Sequence, residues 1–195
     1  MKRRELVRLL GAAPLAGLTW SPVDVQRAAE AVATLRRRGQ AFQPRFFTAH
    51  EYQTVRILVD LIIPKDERSG GATDAGVPEF MDFIVNDQKG QQTAMRGGLA
   101  WLDIECQERF GKDFTDLDDA QRRALLDDIA WPAKARPAMS QGVAFFNRFR
   151  DLTATGFWSS KMGIEDLGYI GNTAVAEWNG CPEEQLKKLG VSYGD

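Results

Sequence analysis

From Thr48 onward, apolar residues recur at three-and-four spacing in one segment after another, and each segment is bounded by capping or breaking residues. That pattern restricts the chain to helices packed through one stripe each. Thr48-Ala-His-Glu51 has capping-box spacing, and Tyr52, Val55, Leu58, Val59 and Ile62 form the stripe before Pro64 stops it. After a Gly/Ser/Thr/Asp loop at 69–76, Val77-Pro78-Glu79 opens a second helix presenting Phe80, Phe83 and Ile84. A third is expected from Gln91 to Phe110 with Met95, Leu99, Leu102 and Cys106 inward and Gly111 as its stop. Asp118-Asp-Ala-Gln121 caps a fourth, which buries Leu125, Leu126 and Ile129 and ends at Trp131-Pro132. A fifth starts at Ser140 and carries Val143, Phe146, Phe149 and Leu152 to Gly156. No alternating series marks a strand. The fold expected is all-α, an irregular bundle of about five helices.

Residues 157–181 break the pattern, being rich in glycine and aromatics without a period. They are expected to wrap irregularly over the bundle, before a short helix from Pro182 to Leu189. Residues 46–195 then make one domain, a size that can bury a core without staples. Residues 21–45 read as a linker or short helix opening at Ser21-Pro22 and closing at Arg36-Arg37-Arg38-Gly39.

Residues 1–20 read as an export signal. Lys2-Arg3-Arg4 leads into Leu6-Val7-Arg8-Leu9-Leu10 and then a weakly apolar stretch, Gly11 to Leu18, too short and Gly/Ala-rich to span a membrane. The adjacent Arg3 and Arg4, followed by Glu5-Leu6-Val7, are similar to a twin-arginine signal, which exports folded proteins. Leu6 stands where Phe is commoner, and Arg8 interrupts the apolar run. The destination expected is the periplasm. The chain's formal net charge is −2, and the basic residues gathered at its start leave an acidic body without a basic stripe. That argues against a nucleic-acid partner.

Motifs for chemistry are few. No G-x-G-x-x-G follows a strand, which removes a dinucleotide-binding unit, and no C-x-x-C-H provides for attached haem. His50 is the single histidine, and His50-Glu51 lacks the second histidine of a zinc-protease helix. Asp116, Asp118 and Asp119 sit at a helix start, where the dipole favours them, and Asp127 and Asp128 are adjacent, off one common face. No catalytic, cofactor or metal residue is therefore assigned. Cys106 and Cys181 can pair in an oxidising compartment. Cys106 is equally accounted for as a buried thiol on an apolar helix face.

Several stretches, in order, resemble the small subunit of membrane-associated gluconate 2-dehydrogenase, the subunit 3 family. They are Phe46-Phe-Thr-Ala-His-Glu51 into Leu61-Ile-Ile-Pro64-Lys-Asp66, Ala75-Gly-Val-Pro-Glu-Phe80, Gly98-Leu-Ala-Trp-Leu-Asp103 and Arg109-Phe-Gly-Lys-Asp-Phe114. Phe145-Phe146-x-x-Phe149-Arg150-Asp151-Leu152, Gly156-Phe-Trp-Ser-Ser160, Gly168-Tyr169-x-Gly171-Asn172 and Trp178-Asn-Gly-Cys-Pro182 continue the series. The resemblance implies a subunit without a catalytic centre, paired with a large FAD-bearing oxidoreductase of the glucose-methanol-choline class that oxidises a sugar or alcohol hydroxyl. It also implies onward electron transfer, often through a cytochrome c subunit, and a role for the small subunit in the partner's export or maturation. Such an interface needs aromatic anchors. Phe157, Trp158, Tyr169 and Trp178 are the candidates, with Trp158 and Tyr169 foremost and the 69–76 loop second. Two other readings remain open at this point: an independent periplasmic enzyme using carboxylates near His50, and a transient maturation chaperone absent from the final complex.

Overall fold

A computed structural model describes residues 20–39, 41–169, 171, 177 and 180–193. Among the described residues there are nine α-helices and no strand: α1 (Pro22–Arg38), α2 (Ala49–Ile62), α3 (Ala72–Ala75), α4 (Val77–Asp87), α5 (Lys89–Phe110), α6 (Asp119–Ala130), α7 (Ser140–Trp158), α8 (Lys161–Leu167) and α9 (Glu183–Leu189). Single 3₁₀ turns, Phe114–Asp116 and Pro137–Met139, lead into α6 and α7. The all-α expectation holds.

The boundaries follow from local chemistry. The Thr48 hydroxyl accepts from the Glu51 N–H while the Glu51 carboxylate accepts from the Thr48 N–H, and Asp118 and Gln121 repeat this reciprocal cap on α6. Each cap satisfies two donors that a helix start leaves orphaned. Gly76, at φ +87°, ends α3 and opens α4, a left-handed turn that a β-carbon would strain.

Helix α7 lies at the centre. It packs against α4, α5, α6 and α8, and also touches α1, α2 and α3. Phe149 and Leu152 on it are fully buried, each worth roughly 1.5–3 kcal/mol of transfer free energy. The crossing of α5 with α7 is set by two glycines. A β-carbon on Gly98 would fall 1.9 Å from the Phe145 ring, and one on Gly142 would fall 2.1 Å from the Trp101 ring. Each helix therefore lays an aromatic ring into a glycine notch of the other, and the backbones approach closely.

Asp82, fully buried on α4, holds the chain that enters α2. Its two oxygens accept from the backbone N–H groups of Arg45 (2.8 Å), Phe46 (3.0 Å) and Phe47 (3.0 Å). Arg96 bonds the Phe46 carbonyl and lies over the Phe46 ring. Within residues 21–45, the structure forms the 17-residue helix α1, which buries Ala28 and Val32 and packs chiefly on α4.

One expectation is corrected. Residues 157–167 are mostly helical, ending α7 and forming α8. The Ser160 hydroxyl caps α8 by accepting from the Gly163 N–H at 3.0 Å, and Gly168 at φ +67° terminates it. Its inward residue is Gly163, whose β-carbon would fall 2.1 Å from the Phe157 carbonyl oxygen. A helix whose core-facing position is glycine shows no apolar stripe in sequence.

Candidate functional site

The end of α7, the whole of α8 and the turn after it carry one group of exposed apolar residues among the described residues. Phe157 and Trp158 are neighbours on a helix, so they point about 100° apart. Phe157 is 1% exposed and belongs to the core, whereas Trp158 is 43% exposed. The rings meet edge to face with centroids 5.0 Å apart, so the buried ring braces the exposed one. Ile164, Leu167 and Tyr169 add to the surface, Tyr169 at 59% exposure. The Tyr169 N–H bonds back to the Ile164 carbonyl, which fixes the turn after α8. Of the four aromatic residues expected to meet a partner, Trp158 and Tyr169 are available, Phe157 is not, and Trp178 lies outside the described residues. Arg3 and Arg4 lie outside them as well.

Beside this cluster runs a groove of about 1070 Å³ between α1 and the α7–α8 end, with Phe80 and Gly156 among its lining residues. Met162 lines it from α8, and Val25, Ala29 and Ala33 line it from α1. The 69–76 loop contributes Asp74, Ala75 and Gly76 to the same groove. That loop is the second interface candidate of the sequence, though turn chemistry also accounts for its composition.

The cysteines are both free thiols. Cys106 is buried and Cys181 exposed, with no bond between them, which matches the buried-thiol reading of the two that the sequence left open. Burial pushes the Cys106 thiol up to about 12, leaving it protonated and inert.

His50 has a partner that spacing did not reveal. Its Nε2 lies 2.7 Å from Oδ2 of Asp103, 53 residues away, and the other Asp103 oxygen accepts from the Phe114 N–H at 3.0 Å. Asp103 thus ties the start of α2 and the 3₁₀ turn to α5. Among the described residues no hydroxyl or thiol is hydrogen-bonded to the imidazole, and Glu51 is engaged in its cap. A nucleophile, base and orienting acid are not assembled there. The hydrogen bond to Asp103 is the main cause of a His50 pKa raised above its usual 6.5, with burial opposing it. A raised folded-state value stabilises the fold fully below pH 6.5, and the contribution is lost as pH rises through the folded value. Because His50 is the single histidine, one imidazole resonance will report it in an untagged chain. A midpoint above 6.5 in the wild type, lowered in Asp103→Asn, is expected. A wild-type midpoint at or below 6.5 would contradict the pairing.

Among the described residues, no group of three or more His, Cys, Asp or Glu side chains could hold a metal ion, and no helix is long and apolar enough to cross a membrane. No curated protein and no solved structure matches the chain. The sequence profile described as gluconate 2-dehydrogenase subunit 3 matches residues 49–179, from the capping box of α2 past the exposed cluster. That match spans about two thirds of the chain, which therefore belongs to the gluconate 2-dehydrogenase subunit 3 family.

Proposed function

We propose that this chain is the non-catalytic small subunit of a periplasmic dehydrogenase complex, binding a large FAD-bearing subunit of the glucose-methanol-choline class that oxidises a sugar or alcohol hydroxyl. The observation that carries this reading is the braced, exposed apolar cluster of Trp158, Ile164, Leu167 and Tyr169 in a member of a dehydrogenase-subunit family. Large aromatic residues held rigid by their own core lose little entropy on binding and make strong interface anchors. FAD belongs in the partner, and a cytochrome c subunit takes the electrons onward. The twin-arginine-like start with Arg3 and Arg4 supports a second role, as the export escort of its partner. A flavoprotein loaded with FAD in the cytoplasm must cross the membrane folded, and the escort supplies the address.

The test is affinity purification of the tagged chain from its native host, with mass spectrometry and a flavin absorption spectrum. Near-equal recovery of a large flavoprotein is expected. Trp158→Ala and Tyr169→Ala should each weaken that association about 10- to 100-fold, the range of truncated interface anchors, while leaving helical circular dichroism unchanged. A colourless monomer without a companion would overturn the stable-subunit reading. Recovery of a flavoprotein only during maturation would favour the transient chaperone instead.

A further inference from the structure

The groove beside α8 calls for an occupant. Val25, Ala29 and Ala33 recur every four residues along one side of α1 and line it together with the buried Val32, while Ala28 faces the core. Val25 packs partly against the core and Ala29 is half-buried, but Ala33 is exposed, and the small alanines let another backbone approach closely. On the far wall, Met162 projects from α8, the helix that also carries Ile164 and Leu167 outward. One seven-residue helix therefore presents apolar side chains both to the groove and to the exposed cluster.

Charge distinguishes the groove's ends. Arg36 and Arg37 line it at the C-terminal end of α1, with Arg38 following. The Arg36 guanidinium donates to the carbonyls of Thr73 and Asp74, and Arg37 donates to the Thr34 hydroxyl at 3.2 Å. Among the described residues, none of these three cations is paired with a carboxylate. Elsewhere on the rim Lys161 lies 3.6 Å from Glu165, the Glu30 carboxylate accepts from the neutral Gln26 amide, and that of Asp74 accepts from the Gly71 N–H.

We propose that the groove seats an apolar helical segment of the flavoprotein subunit, oriented by an acidic side chain that meets Arg36 and Arg37. An amphipathic helix laid in an apolar groove is held by side chains at i, i+3 and i+4, and a cationic end fixes its direction. This inference rests on the subunit reading above, and it adds a second contact continuous with Trp158 and Tyr169.

The experiment uses the complex recovered from the native host. A photo-crosslinking phenylalanine analogue at the exposed position Ala33 should join the chain to an apolar, Asp- or Glu-bearing stretch of the flavoprotein. The same analogue at Arg123, exposed on α6, should not. Ala33→Trp fills the groove and should abolish co-purification, and Arg37→Glu should weaken it about 10-fold or more. If Ala33→Trp lowers the melting temperature, Arg37→Glu, a surface change, decides. Wild-type association in both variants, or crosslinks only to lipid or to a second copy of this chain, overturns the groove assignment. Should Trp158→Ala and Tyr169→Ala still weaken the complex in that case, the subunit reading stands. If the wild type brings down no flavoprotein, both fall.

Discussion

Gly98→Val will leave the protein without a cooperative thermal transition, and Gly98→Ala will lower its stability by about 3 kcal/mol or more, at or above the upper end of ordinary overpacking. The added β-carbon would lie 1.9 Å from Cδ2 and 2.3 Å from Cγ of Phe145. These atoms are close to the base of a buried ring, which has Phe149 beside it at 5.5 Å between centroids, so the ring cannot swing clear. The helices must separate, and every contact along the α5–α7 crossing loosens with them. The neighbouring positions supply internal controls. Nothing lies within 4 Å of a β-carbon at Gly97, so Gly97→Ala should stabilise by about 0.5–1 kcal/mol through helix propensity alone. Gly142→Ala meets the outer ring atoms of the half-buried Trp101, which can rotate outward, and its cost should fall below that of Gly98→Ala. Thermal melts of the three variants would rank them. If Gly98→Ala melts with the wild type, the notch is not what sets the crossing. The double variant Gly98→Ala/Phe145→Leu should recover part of the loss by removing the ring.

Asp82→Ala carries the second large effect, a loss of about 3–5 kcal/mol. Three N–H groups, those of Arg45, Phe46 and Phe47, would lose their only carboxylate acceptor, two of them in buried positions. Each buried unsatisfied donor costs about 1–3 kcal/mol. Asp82→Asn keeps one acceptor oxygen, which can still serve Phe46 and Phe47, but turns an amide donor towards the Arg45 N–H. Its loss should be intermediate. Denaturant unfolding gives the totals, and amide hydrogen exchange at Phe46 and Phe47 localises them. Equal stability in Asp82→Asn and Asp82→Ala would mean the carboxylate is not the acceptor that matters.

These two residues also show what the sequence could reveal. Helix starts were readable where capping boxes and stripes coincide, as at Thr48–Glu51 and Asp118–Gln121, because both signals are local. Asp82 interrupts the apolar run Phe80-Met81-Asp82-Phe83-Ile84. That interruption was a visible sign of a buried carboxylate, but its partners lie 35–37 residues away and no local rule names them. The His50–Asp103 pair was hidden for the same reason. Helix α8 escaped notice because its inward position is glycine, and with it went the periodicity that separates Phe157 from Trp158. Once the helix is recognised, one of two adjacent aromatics must turn inward, which is why only part of the expected interface reaches the surface. Gly98 and Trp101, quoted for the family resemblance, prove to be packing residues.

The Asp82 contact also bears on where the smallest self-sufficient piece of this protein begins. The family match starts at residue 49, yet the donors that satisfy Asp82 belong to residues 45–47. A chain trimmed to the limits of sequence similarity would keep the buried Asp82 carboxylate of α4 and discard the three backbone N–H groups that hydrogen-bond it. The limit of evolutionary resemblance and the limit of autonomous folding therefore differ by several residues. Truncation should respect the second.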